Sequence, residues 1–288
     1  MSTSEAHPMS GVDALSPPEI ARLVEERGVA KANASVVTTF VLGMLAGAFI
    51  ALGAVFSTVA ATGSTFGFGP TRLLSGLAFS LGLILVVVAG AELFTGNNLI
   101  TMSWVSRRIP LRRLLRNWGI VYVGNLVGAL SIVAMAYAGD WWQQSDAALG
   151  GTALSIAVAK ASLPFTVVVV RGILANALVC LAVWLASAGR TVTDKVLAIV
   201  FPITAFVAAG FEHSVANMYF LPMGLALEGQ ASVVRAAGLS PGEVARLDAG
   251  ATVSNIAAAT LGNIIGGAML VGLVYWFVYL WPTRREAP

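Results

Sequence analysis

The chain has 288 residues, 57% of them hydrophobic and only 11% charged, with a formal net charge of +3. Soluble globular domains carry about 25% charged residues, so this composition excludes an ordinary soluble fold and points to an all-α protein that crosses a membrane several times. The single cysteine, Cys180, excludes a disulfide framework and any Cys-based metal site. No CxxC, HExxH or Walker loop occurs, so neither a metal nor a cofactor is expected. The basic residues cluster at membrane edges, a pattern of orientation rather than of nucleic-acid binding.

Residues 1–33 are polar and proline-bearing, lack the apolar core of a signal peptide, and read as a cytoplasmic tail. Within it, Ser16-Pro17-Pro18-Glu19 has the form of a helix start, with Ser at the N-cap, Pro at the first position and Glu three after the cap. A short amphipathic helix is expected over roughly 17–31, with Ile20, Leu23 and Val24 on one side. It is either a surface anchor or a gate over a pore mouth. "GSTFGFG" at 63–69 has scattered glycines but no following Lys-Ser/Thr, and reads as a loop.

Six apolar elements follow the tail, over roughly 34–62, 70–106, 113–139, 164–189, 195–226 and 252–281. Each is long enough to cross about 30 Å of hydrocarbon. They make 34–281 a transmembrane domain and leave 282–288 as a C-terminal tail. Arg22, Arg27 and Lys31, the five arginines from Arg107 to Arg116, Arg190 with Lys195, and Arg284 with Arg285 fall on one side. Arg72, Lys160, Arg235 and Arg246 fall on the other. The excess of basic residues marks the cytoplasmic side and places both termini there. Arg171 lies inside the fourth element, where it either snorkels to the outer interface or pairs at a subunit contact.

The second and fifth elements are too long for simple spans, and each carries a Gly-rich polar break. "AGAELFTGNN" (89–98) and "AGFEHSVANM" (209–218) align so that Gly90 matches Gly210, Glu92 matches Glu212 and Asn97 matches Asn217. The flanks agree: "GMLAG" (43–47) matches "GILAN" (172–176), and "GNLVG" (124–128) matches "GNIIG" (262–266). A repeat of three spans inverts its second copy, so two inverted three-helix halves should bring two broken helices together near the midplane. Gly43, Gly47, Gly124, Gly128, Gly262, Gly266 and Gly267 give small-xxx-small spacing for close helix approach, within a protomer or between protomers.

A break frees backbone groups that lipid cannot satisfy. Glu92, Asn97, Glu212 and Asn217 are therefore read as braces at the two breaks, their symmetry arguing against a unique chemical task. His213 breaks the symmetry, since its counterpart is Leu93; Thr95 likewise faces Val215. An intramembrane ionisable group is a functional candidate by default, and histidine is the side chain that changes charge near neutral pH. Beside the N-terminal ends of half-helices, such a group suits a small monovalent anion, the conjugate base of a weak acid. Phe79, Leu83, Phe94 and Phe206 read as constrictions or as ordinary packing. Lys160, just before the fourth element, either concentrates anions at the mouth or faces water.

"AELFTGNN", "GILANALVCLAVW" with "SAGR" after it, and "GFEHSVANMYFLPMG" closely resemble the formate/nitrite transporter family, over about residues 15–281. The resemblance implies an aquaporin-like fold, a homopentamer with one pore per protomer, and a place in the bacterial inner membrane. It implies that His213 is the central histidine, Thr95 the loop threonine, Asn176 the pore asparagine and Lys160 the vestibule lysine. It assigns Phe79, Leu83 and Phe206 to a cytoplasmic constriction, and Phe94 and Val179 to a periplasmic one. "ANMYFLPMG" is most similar to formate-type members, so formate moving with protons is the expected cargo; nitrite or hydrosulfide is the alternative, and a neutral-solute channel a remote one. A Ser214–His213 dyad would make an intramembrane enzyme, but neighbouring helical residues point about 100° apart.

Overall fold

The structure is a computed structural model that describes residues 14–282. His7, Arg284 and Arg285, with the tails 1–13 and 283–288, lie outside the described residues. Every regular element among the described residues is helical. Five helices are long and apolar enough to cross a membrane among the described residues: α2 (Val36–Ala61), α3 (Phe68–Ala89), α5 (Leu111–Ala138), α7 (Phe165–Ala188) and the run Ala249–Tyr279. The last begins as α12 (Ala249–Ile264) and passes through a π-helical stretch, Ile265–Leu273, before its final turns. The fifth apolar element of the sequence is split into α8 (Val192–Ala208) and α9 (Ser214–Leu227). The second is likewise interrupted: after α3 the chain resumes as a 3-10 turn, Gly96–Ile100, and α4 (Thr101–Val105).

Both breaks have one cause. Gly90 and Gly210 take left-handed φ values of 84° and 74°, a region that a Cβ disfavours. The next residue then reaches back across the helix end: Ala91 N–H donates to the Val86 carbonyl at 2.9 Å, and Phe211 N–H to Phe206 at 3.1 Å. This is the Schellman geometry that closes a helix and satisfies its last carbonyls.

Two helices frame these breaks. α1 (Pro17–Asn33) starts as its sequence requires, the Glu19 carboxylate accepting from the Ser16 N–H at 2.8 Å and the Ser16 hydroxyl at 2.6 Å. It packs along the protein: Ile20 and Val24 are buried against Leu99, Met102 and Trp184, and the Ser103 hydroxyl donates to the Glu25 carbonyl at 2.7 Å. On the opposite side of the breaks lies α6 (Ala148–Ala161), which packs against α9.

The small residues serve packing within the protomer. Any Cβ at Gly47 or Gly128 would strike the backbone of the facing helix in the α2–α5 pair, and any at Gly262 or Gly266 would do so where α7 faces α12 and its π-helical continuation. Large apolar side chains such as Val37, Phe201 and Val253 remain more than 60% exposed, a surface suited to lipid or to other copies of the chain.

Candidate functional site

The two breaks are braced by one pattern of contacts. At the first, Asn125 Nδ2 donates to the carbonyls of Gly43 (2.8 Å) and Glu92 (2.9 Å), while Asn125 Oδ1 accepts from the Phe94 N–H. At the second, Asn263 Nδ2 donates to Gly172 (2.8 Å) and Glu212 (3.0 Å), and its Oδ1 accepts from the Ser214 N–H. The carboxylates follow suit. Asn97 donates to Glu92 (2.6 Å) and Asn117 (3.0 Å); Asn217 donates to Glu212 and Asn255, both at 2.7 Å.

Each glutamate also meets a lysine. Lys31 Nζ lies 3.1 Å from Glu92 and donates to Asn97 Oδ1 at 2.8 Å. Lys160 Nζ reaches both Glu212 oxygens, at 2.9 and 3.0 Å. The lysine carbonyls correspond too, accepting from Asn117 and Asn255 respectively. Glu92 and Asn97 thus meet at the first break, and Glu212 and Asn217 at the second. Lys31, Asn117, Asn125, Asn255 and Asn263 were missed, although "GN" recurs in both flanking motifs and Lys31 stands twelve residues before Gly43, as Lys160 does before Gly172.

His213 is the N-cap of α9 and is 2% exposed. Its Nδ1 faces the Ala216 N–H at 3.1 Å, and a backbone N–H can only donate. The neutral ring therefore carries its proton on Nε2, which donates to Thr95 Oγ1 at 2.9 Å. Thr95, completely buried, keeps its own hydroxyl proton for another acceptor. The Ser214 hydroxyl has no hydrogen-bond partner among the described residues, so no Ser–His dyad forms.

Two cavities lie near this pair; His213 lines the second and Thr95 lines neither. One, of about 320 Å³, is lined by Arg27, Lys31, Leu83, Glu92, Leu93 and Lys195, among others. The other, of about 460 Å³, is lined by Arg72, Phe79, Lys160, Arg171, Phe206 and His213, among others. Phe79 packs edge-on to Phe206 with ring centroids 5.5 Å apart, and Phe206 leans on the His213 ring at 5.8 Å.

The residues assigned to constrictions are distributed between the cavities and the packed interior. Phe79 and Phe206 share a cavity with Lys160, whereas Leu83 opens to the α1 side. Four residues of helix, about 6 Å, separate Phe79 from Leu83, and a helical face read from sequence does not give depth. Phe94 and Val179 are buried at 4% and 1% and line neither cavity. Phe94 packs against Trp118 and Tyr122. Asn176 also lies away from both cavities. Its Nδ2 ties the carbonyl of Thr95 (3.2 Å) to Asn98 Oδ1 (2.8 Å) and the Asn263 carbonyl (2.7 Å), which fixes the loop that carries Thr95.

The family model described as formate/nitrite transporter matches residues 18–277. The chain belongs to the formate/nitrite transporter family. It is 43% identical over 272 residues to the formate channel FocA of Escherichia coli K12, covering 93% of this chain and 95% of the relative. To FocA of Haemophilus influenzae it is 40% identical over 274 residues, covering 94% and 96%. Among solved structures, a pentameric formate channel with formate bound superposes with a TM-score of 0.79 at 40% identity, over 85% of this chain and 98% of that one. Membership of this family makes the chain a membrane transporter and accounts for its apolar helices. The relatives named are channels rather than enzymes.

Proposed function

We propose that the chain conducts formate, and related small monovalent weak-acid anions, across the bacterial inner membrane, with His213 and Thr95 handling the accompanying proton. The hydrogen bond from His213 to Thr95 at the seam between two cavities carries this reading, and the named relatives are formate channels. Matched bracing at the two breaks supports six crossings in two inverted halves, in an aquaporin-like arrangement with both termini cytoplasmic. The α1-side cavity then opens inward and the α6-side cavity outward. A homopentamer is the assembly of the formate-bound relative and the one proposed here.

A naked anion cannot cross the apolar seam, because desolvation costs tens of kcal/mol in the Born limit. Formate entering from either cavity accepts a hydrogen bond from Thr95. When the ring is doubly protonated, Thr95 passes its hydroxyl proton to formate and takes the Nε2 proton in exchange. Formic acid forms, and the ring is left neutral with its proton on Nδ1, facing the Ala216 N–H. Two facing N–H groups cannot bond, so the Nδ1 proton is released to water of the α6-side cavity and Nε2 takes one up from water, which restores the cap.

Proteoliposomes loaded with formate, nitrite, hydrosulfide, acetate or chloride test the reading, with and without an inward proton gradient. Formate flux that leads the series and rises with the gradient is expected. Flux led by chloride and indifferent to the gradient would overturn it.

A further inference from the structure

The α6-side cavity holds two guanidinium groups that the bracing pattern does not use. Arg72 donates through Nε to the Ala208 carbonyl at 3.2 Å and through Nη2 to the Val207 carbonyl. Arg171 Nη1 reaches the Gly210 carbonyl at 3.5 Å. These carbonyls form the end of half-helix α8, the negative pole of its dipole, and they lie within a few residues of His213. Left bare, that pole and Glu212 would repel an arriving anion. Arg72 and Arg171 cover it and reverse its sign, and both keep further N–H donors that bond nothing among the described residues. Both side chains are only partly buried and both line the cavity.

The lysines do not fill this role. Lys160 is held by both oxygens of Glu212, and Lys31 repeats that pairing with Glu92, so each lysine charge is matched where it stands. The arginines have no such double. Glu92 N–H donates to the Leu42 carbonyl as Glu212 N–H donates to that of Arg171, so Leu42 is the counterpart of Arg171. Counting back from the matched glycines, Arg72 faces Val192. In the other cavity Arg27 turns to the Ser187 hydroxyl instead, at 3.1 Å. The arginines depart from the repeat as His213 does, and on the same side.

We infer that Arg72 and Arg171 form a carboxylate-recruiting site in the floor of the α6-side cavity, which takes a small monocarboxylate before it meets Thr95 and His213. A guanidinium fork matches a carboxylate in shape as well as charge, and a cleft lined by one sign of charge raises the local concentration of the opposite ion. Arg72 also holds the helix end, which leaves Arg171 as the residue to change. The inference rests on the formate pathway proposed above.

Its test is formate uptake against concentration at fixed pH, in right-side-out and inside-out membrane vesicles from the same cells. R171L installs the residue found at the matched position. It should raise the half-saturating formate concentration about 3- to 10-fold from the α6 side only, with the maximal rate within about twofold. R171K keeps charge without the fork and should fall between. An unshifted half-saturation in R171L, or equal shifts from both sides, would overturn the recruiting site while wild-type uptake stayed intact. No formate uptake by wild-type vesicles would remove the pathway and this site with it.

Discussion

Lys31 and Lys160 occupy corresponding positions at the two breaks: each pairs with a break glutamate, and each gives its carbonyl to a matched asparagine. One comes from the N-terminal helix and the other from α6. The N-terminal helix is thus the structural counterpart of an internal element, and its lysine completes a brace.

The two pairs differ in exposure, and their removal should differ in cost. Lys160 and Glu212 have side chains 16% and 3% exposed, against 33% and 14% for Lys31 and Glu92. K160M strands a buried carboxylate and should cost about 3–5 kcal/mol. K31M should cost less than about 2 kcal/mol. Thermal unfolding in detergent checks the order, and the double variant K160M/E212Q should recover most of the loss.

Asn125 and Asn263 should prove equally intolerant. N263A strands the Gly172 and Glu212 carbonyls and the Ser214 N–H, at about 1–3 kcal/mol for each buried group left unpaired. N125A should match it within about 1 kcal/mol, since the same three kinds of partner are lost. Unfolding of both variants side by side is the measurement.

At Gly210 the backbone is left-handed, and Arg72 lies against the open face of the residue. G210A should lose about 1–2 kcal/mol from backbone strain, whereas Gly229, with no such φ and open space around it, should accept alanine with little change. Unfolding midpoints of the two variants give the contrast.

The first turn of α1 carries a pH dependence. Hydrogen bonds from the Ser16 side chain and backbone hold the Glu19 carboxyl below its ordinary value of 4.5. A carboxylate depressed in the folded state stabilises fully above that value and loses its contribution as pH falls through the lower, folded one. Protection of the first-turn amides of α1 relative to their intrinsic exchange rates should therefore hold at pH 6 and fall below about pH 4. E19Q should remove that fall.

Much of this was legible in the residues. The breaks were, because Gly, Glu and Asn recur in order at 90, 92, 97 and at 210, 212, 217, and because non-helical backbone inside a membrane must find partners in the protein. The asymmetry at His213 and Thr95 was legible for the same reason. Lys31 was hidden by its setting: in a polar segment a lysine looks like one more cytoplasmic charge, and its role needs α1 folded back onto the first break. Phe79 and Phe206 show the other limit. Their place on a lining face follows from helical spacing, but which side of the seam they occupy depends on how far α3 and α8 penetrate.

Simultaneous recording of labelled formate uptake and lumenal pH, in proteoliposomes of wild type and H213Q, tests the central claim most directly. Glutamine keeps a hydrogen-bonding side chain but cannot take up and release a proton. The account predicts that wild-type uptake carries about one proton per formate, and that this ratio falls sharply in H213Q. Equal ratios in the two proteins would contradict a role for the His213–Thr95 pair in proton handling.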